Sequence, residues 1–480
     1  MTRSTSRYVS EVGITQAWID GVQNNTEVVK TLRDEKIEKP DGTGGGVVNE
    51  SLRDAFGRLF SISSFEDFSS TQPFQLGLEG AVYHNCEGLH NVMHVWIGGP
   101  ETRPSPERYV LQGQMSQPPV SSFDPIFWFH HCNVDRTIAI WQTLHDQSWF
   151  DATRNPFSAG NVAGRNLRPF HRDVNGTYWT SDTVRQLAPL GYTYPTLDKQ
   201  PYIKDGVYNV QEHLSAINLE INEKYGSARA AAIKMALTAD PGQEEGEGGG
   251  LALGSLSHLL AAVAPEESER DRTVNDYAVN ILYEKMGLQG GRTFTIHVFV
   301  GKVPDGNLPF DFHDPEGSLV GQVFNFTSTD DGAVGEDGES GSGSGCDNCA
   351  AQATNRTLAT GRVVLTNALI TRWKNQLTHT PEPGVEGPTV LASMEPNDVV
   401  PFLAANLHWR ITADSGLLSI EQVPSVKVAV VVGKADHFAD ATKLSRYYDY
   451  RPAYQVTEGK PGGVGREDGL YPAGSEWQPS

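Results

Sequence analysis

The sequence has 480 residues, 38% hydrophobic and 20% charged, with a formal net charge of -21 and 4 cysteines. That length suits about two to four domains with sizeable cores. The acidic balance argues against nucleic acid or an anionic membrane as partners, because both reward clustered Lys and Arg. No run of about 18 apolar residues offers a membrane span. So few cysteines make no disulfide framework, and no apolar stretch follows the N-terminal arginines, so the expected compartment is a reducing, cytoplasmic one.

In chain order, the segments ITQAWIDGVQ (14–23) and ESLRDAFGRLF (50–60) show helical apolar spacing around the loop EKPDGTGGG (38–46). Residues 81–145 carry the densest chemistry. Residues 146–210 are rich in Pro, Gly, Asn and aromatics and predict long loops. Helices are predicted again in 206–226 and 227–239. The acidic, Gly-rich DPGQEEGEGGG (240–250) then reads as a linker. Beyond it the pattern turns to strands at 293–300, 319–326, 407–412 and 426–432. The domains expected are a mainly α part at 1–239, a linker at 240–250, a β-rich part at 251–455 and a polar tail at 456–480. The β-rich part contains a polar loop at 327–345 that ends in Cys346-x-x-Cys349.

The stretch CEGLHNVMHVWIGG (86–99) places His90 and His94 four apart, on one face of a helix. A second stretch, FDPIFWFHHCNVDRTIAIWQ (123–142), opens with Asp-Pro, a helix start, and offers His130 and His131. Neighbouring helical residues diverge by roughly 100°, so only one of that pair can face the same ion. Phe127, His131 and Asp135 share a face. Three neutral imidazoles without a thiolate suit copper, zinc or nickel, and spacing alone does not choose among them.

These two stretches together resemble the copper-B half of the type-3 copper family of tyrosinases, catechol oxidases and molluscan-type haemocyanins, and are most similar to fungal tyrosinases. The resemblance is densest over 78–145 and weakens towards EKYG (223–226). It implies a mainly α catalytic part, an incomplete type-3 copper four-helix bundle with long loops, followed by a C-terminal β-sandwich-like domain that shields the site. It implies copper bound by His90, His94 and His131, with His130, Phe127 and Asp135 packed around them. It also implies that Asn91, with Glu87, holds the water that deprotonates an incoming monophenol. A carboxylate and an amide can orient one water as a general base.

The implied reaction is oxidation of monophenols and o-diphenols to o-quinones with O2. From the family, Cys346 and Cys349 would deliver copper, and one of Phe310, Phe312, Phe324 and Phe326 would plug the site. The family's second copper draws its histidines from upstream of this motif, yet the first histidine here is His84. The expectation is therefore a single copper and impaired activity, as in a truncated sequence or a degenerate paralogue. Apolar faces left uncovered would favour oligomers. The alternatives are a non-catalytic mononuclear copper-binding remnant and a haemocyanin-like oxygen binder. His145, His171, His213, His297, His408 and His437 read as polar or capping residues.

Overall fold

The computed structural model describes residues 9–10, 52–73, 84–98, 102–105, 108–111, 113–116, 118, 120–151, 162–226, 272–288, 291–303, 318–327, 352–378, 390–413 and 416–479. The readings placed on 14–23, 227–250, Phe310, Phe312, 328–345, Cys346 and Cys349 lie outside them.

The first region is helical: α1 (Leu52–Leu59), α2 (Phe65–Ser69), α3 (Cys86–Gly98), α4 (Ile126–Leu144) and α5 (Val210–Tyr225). Its core gathers Phe56 and Leu59 of α1, Phe68 of α2, Leu89 of α3, Ile140 and Trp141 of α4, and Ile217 and Ile221 of α5. Trp141 anchors it. Phe68 stacks on its ring at 4.4 Å between centroids, and its indole N–H donates to the Ile62 carbonyl at 2.6 Å. A buried indole with a satisfied N–H adds apolar area without an unpaired donor. The helix starts follow the capping chemistry. Asn85 Oδ1 accepts from the Gly88 N–H at 2.7 Å at the head of α3, and Asp124 Oδ1 from the Ile126 N–H at 3.0 Å at the head of α4. Residues 166–208 form two small hairpins and short turns rather than a packed layer.

The second region holds two four-stranded antiparallel sheets. Its strands are β1 (Arg272–Glu284), β2 (Phe294–Val300), β3 (Leu319–Asn325), β4 (Leu358–Val364), β5 (Leu407–Ala413), β6 (Gly416–Leu418), β7 (Lys427–His437) and β8 (Arg446–Pro452). One sheet runs β3-β2-β5-β6 and the other β4-β1-β7-β8. Both sheets contribute to one core, with Val279 and Ile281 of β1, Ile296 and Val298 of β2, Ile411 of β5 and Val428 and Val430 of β7. Two helices, α6 (Thr366–Thr378) and α7 (Pro396–Asn406), accompany the sheets.

The strands expected at 293–300, 319–326, 407–412 and 426–432 are present within a few residues of those bounds. The long strand β1 carries no alternating signal because both its faces are buried: Tyr277, Val279 and Ile281 face one core while Ala278 and Leu282 face another with Ala429, Val431 and Tyr471. The expected polar tail at 456–480 is corrected. Val456 belongs to the main β core, Val464 and Tyr471 to the second one, and the Trp477 N–H donates to the Pro452 carbonyl at 3.0 Å. Scattered apolar residues among glycines hid that packing from the composition. No helix among the described residues is long and apolar enough to cross a membrane.

The two regions are joined by polar contacts between residues far apart in sequence. Arg58 of α1 makes two bonds to Asp276 of β1, at 3.0 and 2.9 Å, and both side chains are buried. Asp276 also accepts from the Thr366 and Tyr450 hydroxyls, each at 2.6 Å. Burial would push the Asp276 carboxyl up, but the Arg58 guanidinium and these donors hold it below its ordinary value. Thr360 of β4 donates through N–H and hydroxyl to the Thr71 carbonyl. Asn222 of α5 donates to the Ala441 and Lys443 carbonyls of the turn before β8.

Candidate metal centre

Four imidazoles meet where α3 crosses α4. His90 and His94 stand one turn apart on α3, and His130 and His131 are in the second turn of α4. The hydrogen bonds settle which nitrogen of each ring carries the proton, because a carbonyl oxygen only accepts. His94 Nδ1 lies 2.7 Å from the Met115 carbonyl and must carry hydrogen. His131 Nδ1 donates to the Phe127 carbonyl at 2.8 Å. His90 Nδ1 contacts Asn91 Oδ1 at 2.9 Å. In their neutral forms all three rings therefore turn the Nε2 lone pair inward.

These Nε2 atoms converge: His90 to His94 at 3.0 Å and His90 to His131 at 3.1 Å. Neutral rings in these tautomers place lone pair against lone pair, which repel unless a cation sits among them. The donor set fits a copper or zinc ion. His130 is arranged differently. Its Nε2 donates to the His90 carbonyl at 3.2 Å and its ring stacks on that of His90, with centroids 5.1 Å apart. Even so, His90, His94 and His130 offer ligand atoms all within 4.8 Å of one another.

Burial keeps His90, His94 and His130 neutral. Burial, then the neighbouring His90, lowers His94 to about 3, and the same causes bring His130 to about 3. Burial also lowers His90. A ligand held unprotonated pays no deprotonation cost on binding metal.

Aromatic rings close the site. Phe127 packs on His131 at 4.0 Å between centroids. Phe326, just beyond β3, lies over His94 at 4.8 Å and nears His90 edge-on at 6.3 Å. Of the two described plug candidates, Phe324 instead packs with Val95 and Trp96 in the core between the regions, so Phe326 is the ring that covers the histidines.

Two expected roles are corrected by their partners. Glu87 does not turn a free carboxylate to the site. One oxygen pairs with Lys285 Nζ, and the other accepts from the Thr71 N–H at 2.8 Å, the Thr71 hydroxyl at 2.9 Å and the Ser70 hydroxyl at 3.2 Å. Burial would raise this carboxyl, but the Lys285 ammonium and the Thr71 donors outweigh it and hold it at about 2. Glu87 thus clasps the C-terminal region onto the ligand helix. Asp135 holds the Tyr192 and Tyr194 hydroxyls instead of an imidazole. Asn91 is buried beside the site, oriented by His90.

Five further histidines bond to protein groups elsewhere: His84 to the Ala55 carbonyl, His145 to the Phe60 carbonyl, His213 to Tyr208 and Thr196, His297 to Thr412 and Gln322, and His437 to Ser445. The Met115 carbonyl and Lys285 were not foreseen from sequence. The first is a backbone group with no side-chain signature, and the second lies 198 residues from its partner.

Residues 16–144 match the common central domain of tyrosinase, and residues 276–430 match the tyrosinase C-terminal domain. A tyrosinase of Neurospora crassa is 27% identical over 85% of this chain and 64% of its own length. A tyrosinase of Aspergillus fumigatus is 31% identical over 61% of this chain and 37% of its own length. Among solved structures, the melB holo-protyrosinase of Aspergillus oryzae superposes with a TM-score of 0.57 at 25% identity, covering 98% of this chain and 61% of that one. The chain thus spans less than two thirds of the length of these relatives.

Proposed function

This chain belongs to the tyrosinase family, and from that membership we propose that it is a copper protein of phenol oxidation, whose copper is held by the Nε2 atoms of His90, His94 and His131. The observation that carries the reading is the convergence of three unprotonated Nε2 atoms, at 3.0 and 3.1 Å, each fixed by a hydrogen bond at its own Nδ1. In this reading His130 supports His90 by stacking and does not ligate. Copper, when bound, supplies the electron exchange between a phenolic substrate and O2. The protein's part is to keep the imidazoles neutral, fix their tautomers, and exclude water with Phe127 and Phe326.

We read the helical region as the copper-B half of a type-3 bundle and the β region as a sandwich that shields it. Phe326 over His94 and the Glu87–Lys285 clasp support the shielding role. The family reaction uses two coppers, and His84, His145, His213, His297 and His437 are bonded to protein groups away from this cluster. This favours one copper per chain and weak turnover, with a mononuclear copper protein lacking turnover as the second reading. The copper-loaded chain, given L-tyrosine, is expected to show negligible hydroxylation. Turnover at ordinary enzyme rates of ~1–1000 per second would overturn the one-copper reading.

A further inference from the structure

We infer that Gly98 is a positioning residue for the metal centre: its missing side chain lets the 113–116 turn come close enough to α3 for the Met115 carbonyl to fix the tautomer and aim of His94. The inference rests on the copper reading of the histidine cluster.

Gly98 is the last residue of α3, one turn beyond His94. Its carbonyl accepts the Gly113 N–H at 2.7 Å, which starts the turn, and the Ser116 N–H closes it on the Gly113 carbonyl at 3.1 Å. Met115 and Ser116 are both buried in this turn. A Cβ on Gly98 would stand 2.2 Å from Ser116 Oγ, 2.3 Å from Ser116 N and 2.9 Å from Ser116 Cβ. The hydroxyl could swing away, but the backbone nitrogen cannot. The turn would have to retreat by about 1 Å before that contact reached the 3.4 Å of ordinary packing. Met115 is the adjacent residue, and its carbonyl holds His94 Nδ1 at 2.7 Å. A retreat of that size takes the bond beyond hydrogen-bonding range.

His94 would then lose the acceptor that keeps its proton on Nδ1. The Nε2–H tautomer, which cannot ligate, becomes populated, and the ring is free to turn. Gly98 has helical backbone, so the requirement is for space and not for an unusual conformation. Alanine is the better helix former, so a purely local effect of Gly98→Ala would strengthen α3.

The test compares the full-length wild type with Gly98→Ala and Ser116→Ala. Copper affinity is read by chelator competition, and the His94 tautomer by side-chain nitrogen spectra of the metal-free protein. Gly98→Ala is expected to weaken copper binding by roughly 10- to 100-fold, the usual cost of losing a ligand's outer partner. Its His94 should show mixed tautomers while the metal-free protein still melts cooperatively. Ser116→Ala, which leaves the backbone of the turn in place, should bind copper within a few-fold of wild type.

Unchanged copper affinity in folded Gly98→Ala would overturn the inference. So would a wild-type His94 protonated at Nε2, a result that stands even if Gly98→Ala does not fold. A wild type that binds no copper, yet loses its Nδ1–H tautomer in Gly98→Ala, overturns the copper reading and leaves the positioning role standing.

Discussion

The metal centre and the joint between the helical and β regions place polar groups for opposite purposes. At the metal centre the rings of His90, His94 and His131 aim Nε2 at one point, held by Asn91 next in sequence, by the Met115 carbonyl 21 residues on, and by the Phe127 carbonyl one turn back. Where the regions meet, Arg58 and Asp276 are buried as a charged pair with every strong donor and acceptor matched across 218 residues. The first arrangement is incomplete without a cation, and the second is already complete. A site that must accept a ligand keeps unsatisfied acceptors, whereas a joint that must hold two regions together leaves none.

The sharpest way to break this comparison is at the joint. Arg58→Ala leaves the Asp276 carboxylate buried without its cation, and removing one partner of such a pair typically costs ~3–5 kcal/mol. Denaturant unfolding should show that loss. A change under about 1 kcal/mol would mean that the pair behaves as a surface bridge.

Acid should act next most strongly. His84 is buried, and burial lowers it from 6.5 to about 3. Between those values the unfolded chain takes up a proton that the folded chain refuses. The stability is present in full above pH 6.5 and is lost as pH falls towards 3. The loss grows by roughly 1.4 kcal/mol per pH unit within that window. Glu87, held at about 2 against an ordinary 4.5, adds a second loss as pH falls from 4.5 towards 2. His94 and His130, lowered to about 3 by burial, add losses over the same range as His84. His84→Gln should make the profile shallower by one group's share in a pH series of thermal melts, and an unaltered profile would remove His84 as a contributor.

The smallest effect is expected at the cover. Phe326→Ala should speed removal of bound copper by a chelator several-fold while leaving copper stoichiometry intact. An unchanged rate would show that Phe326 does not gate the site.

The same contrast explains what could be read from sequence. The ligand helices were legible because their information is local: a spacing of four between His90 and His94, and an Asp-Pro start. Strands β2 and β7, buried on both faces, were legible as runs of β-branched and aromatic residues. Strand β1 was not, because Asn275, Asp276 and Asn280 interrupt its apolar run. Glu87 was misassigned because an acid in a first helical turn looks the same whether it faces a substrate or a lysine from another region. The choice of Phe326 over Phe324 depends on where β3 ends against α3, which no local pattern encodes.

The account stands most directly on the identity of the third ligand. Copper bound per chain, measured at fixed free copper in wild type, His130→Ala and His131→Ala, decides it. The account predicts one copper in wild type and in His130→Ala, and none in His131→Ala. Copper retained in His131→Ala and lost in His130→Ala would contradict it, and would move the third ligand to the ring that stacks on His90.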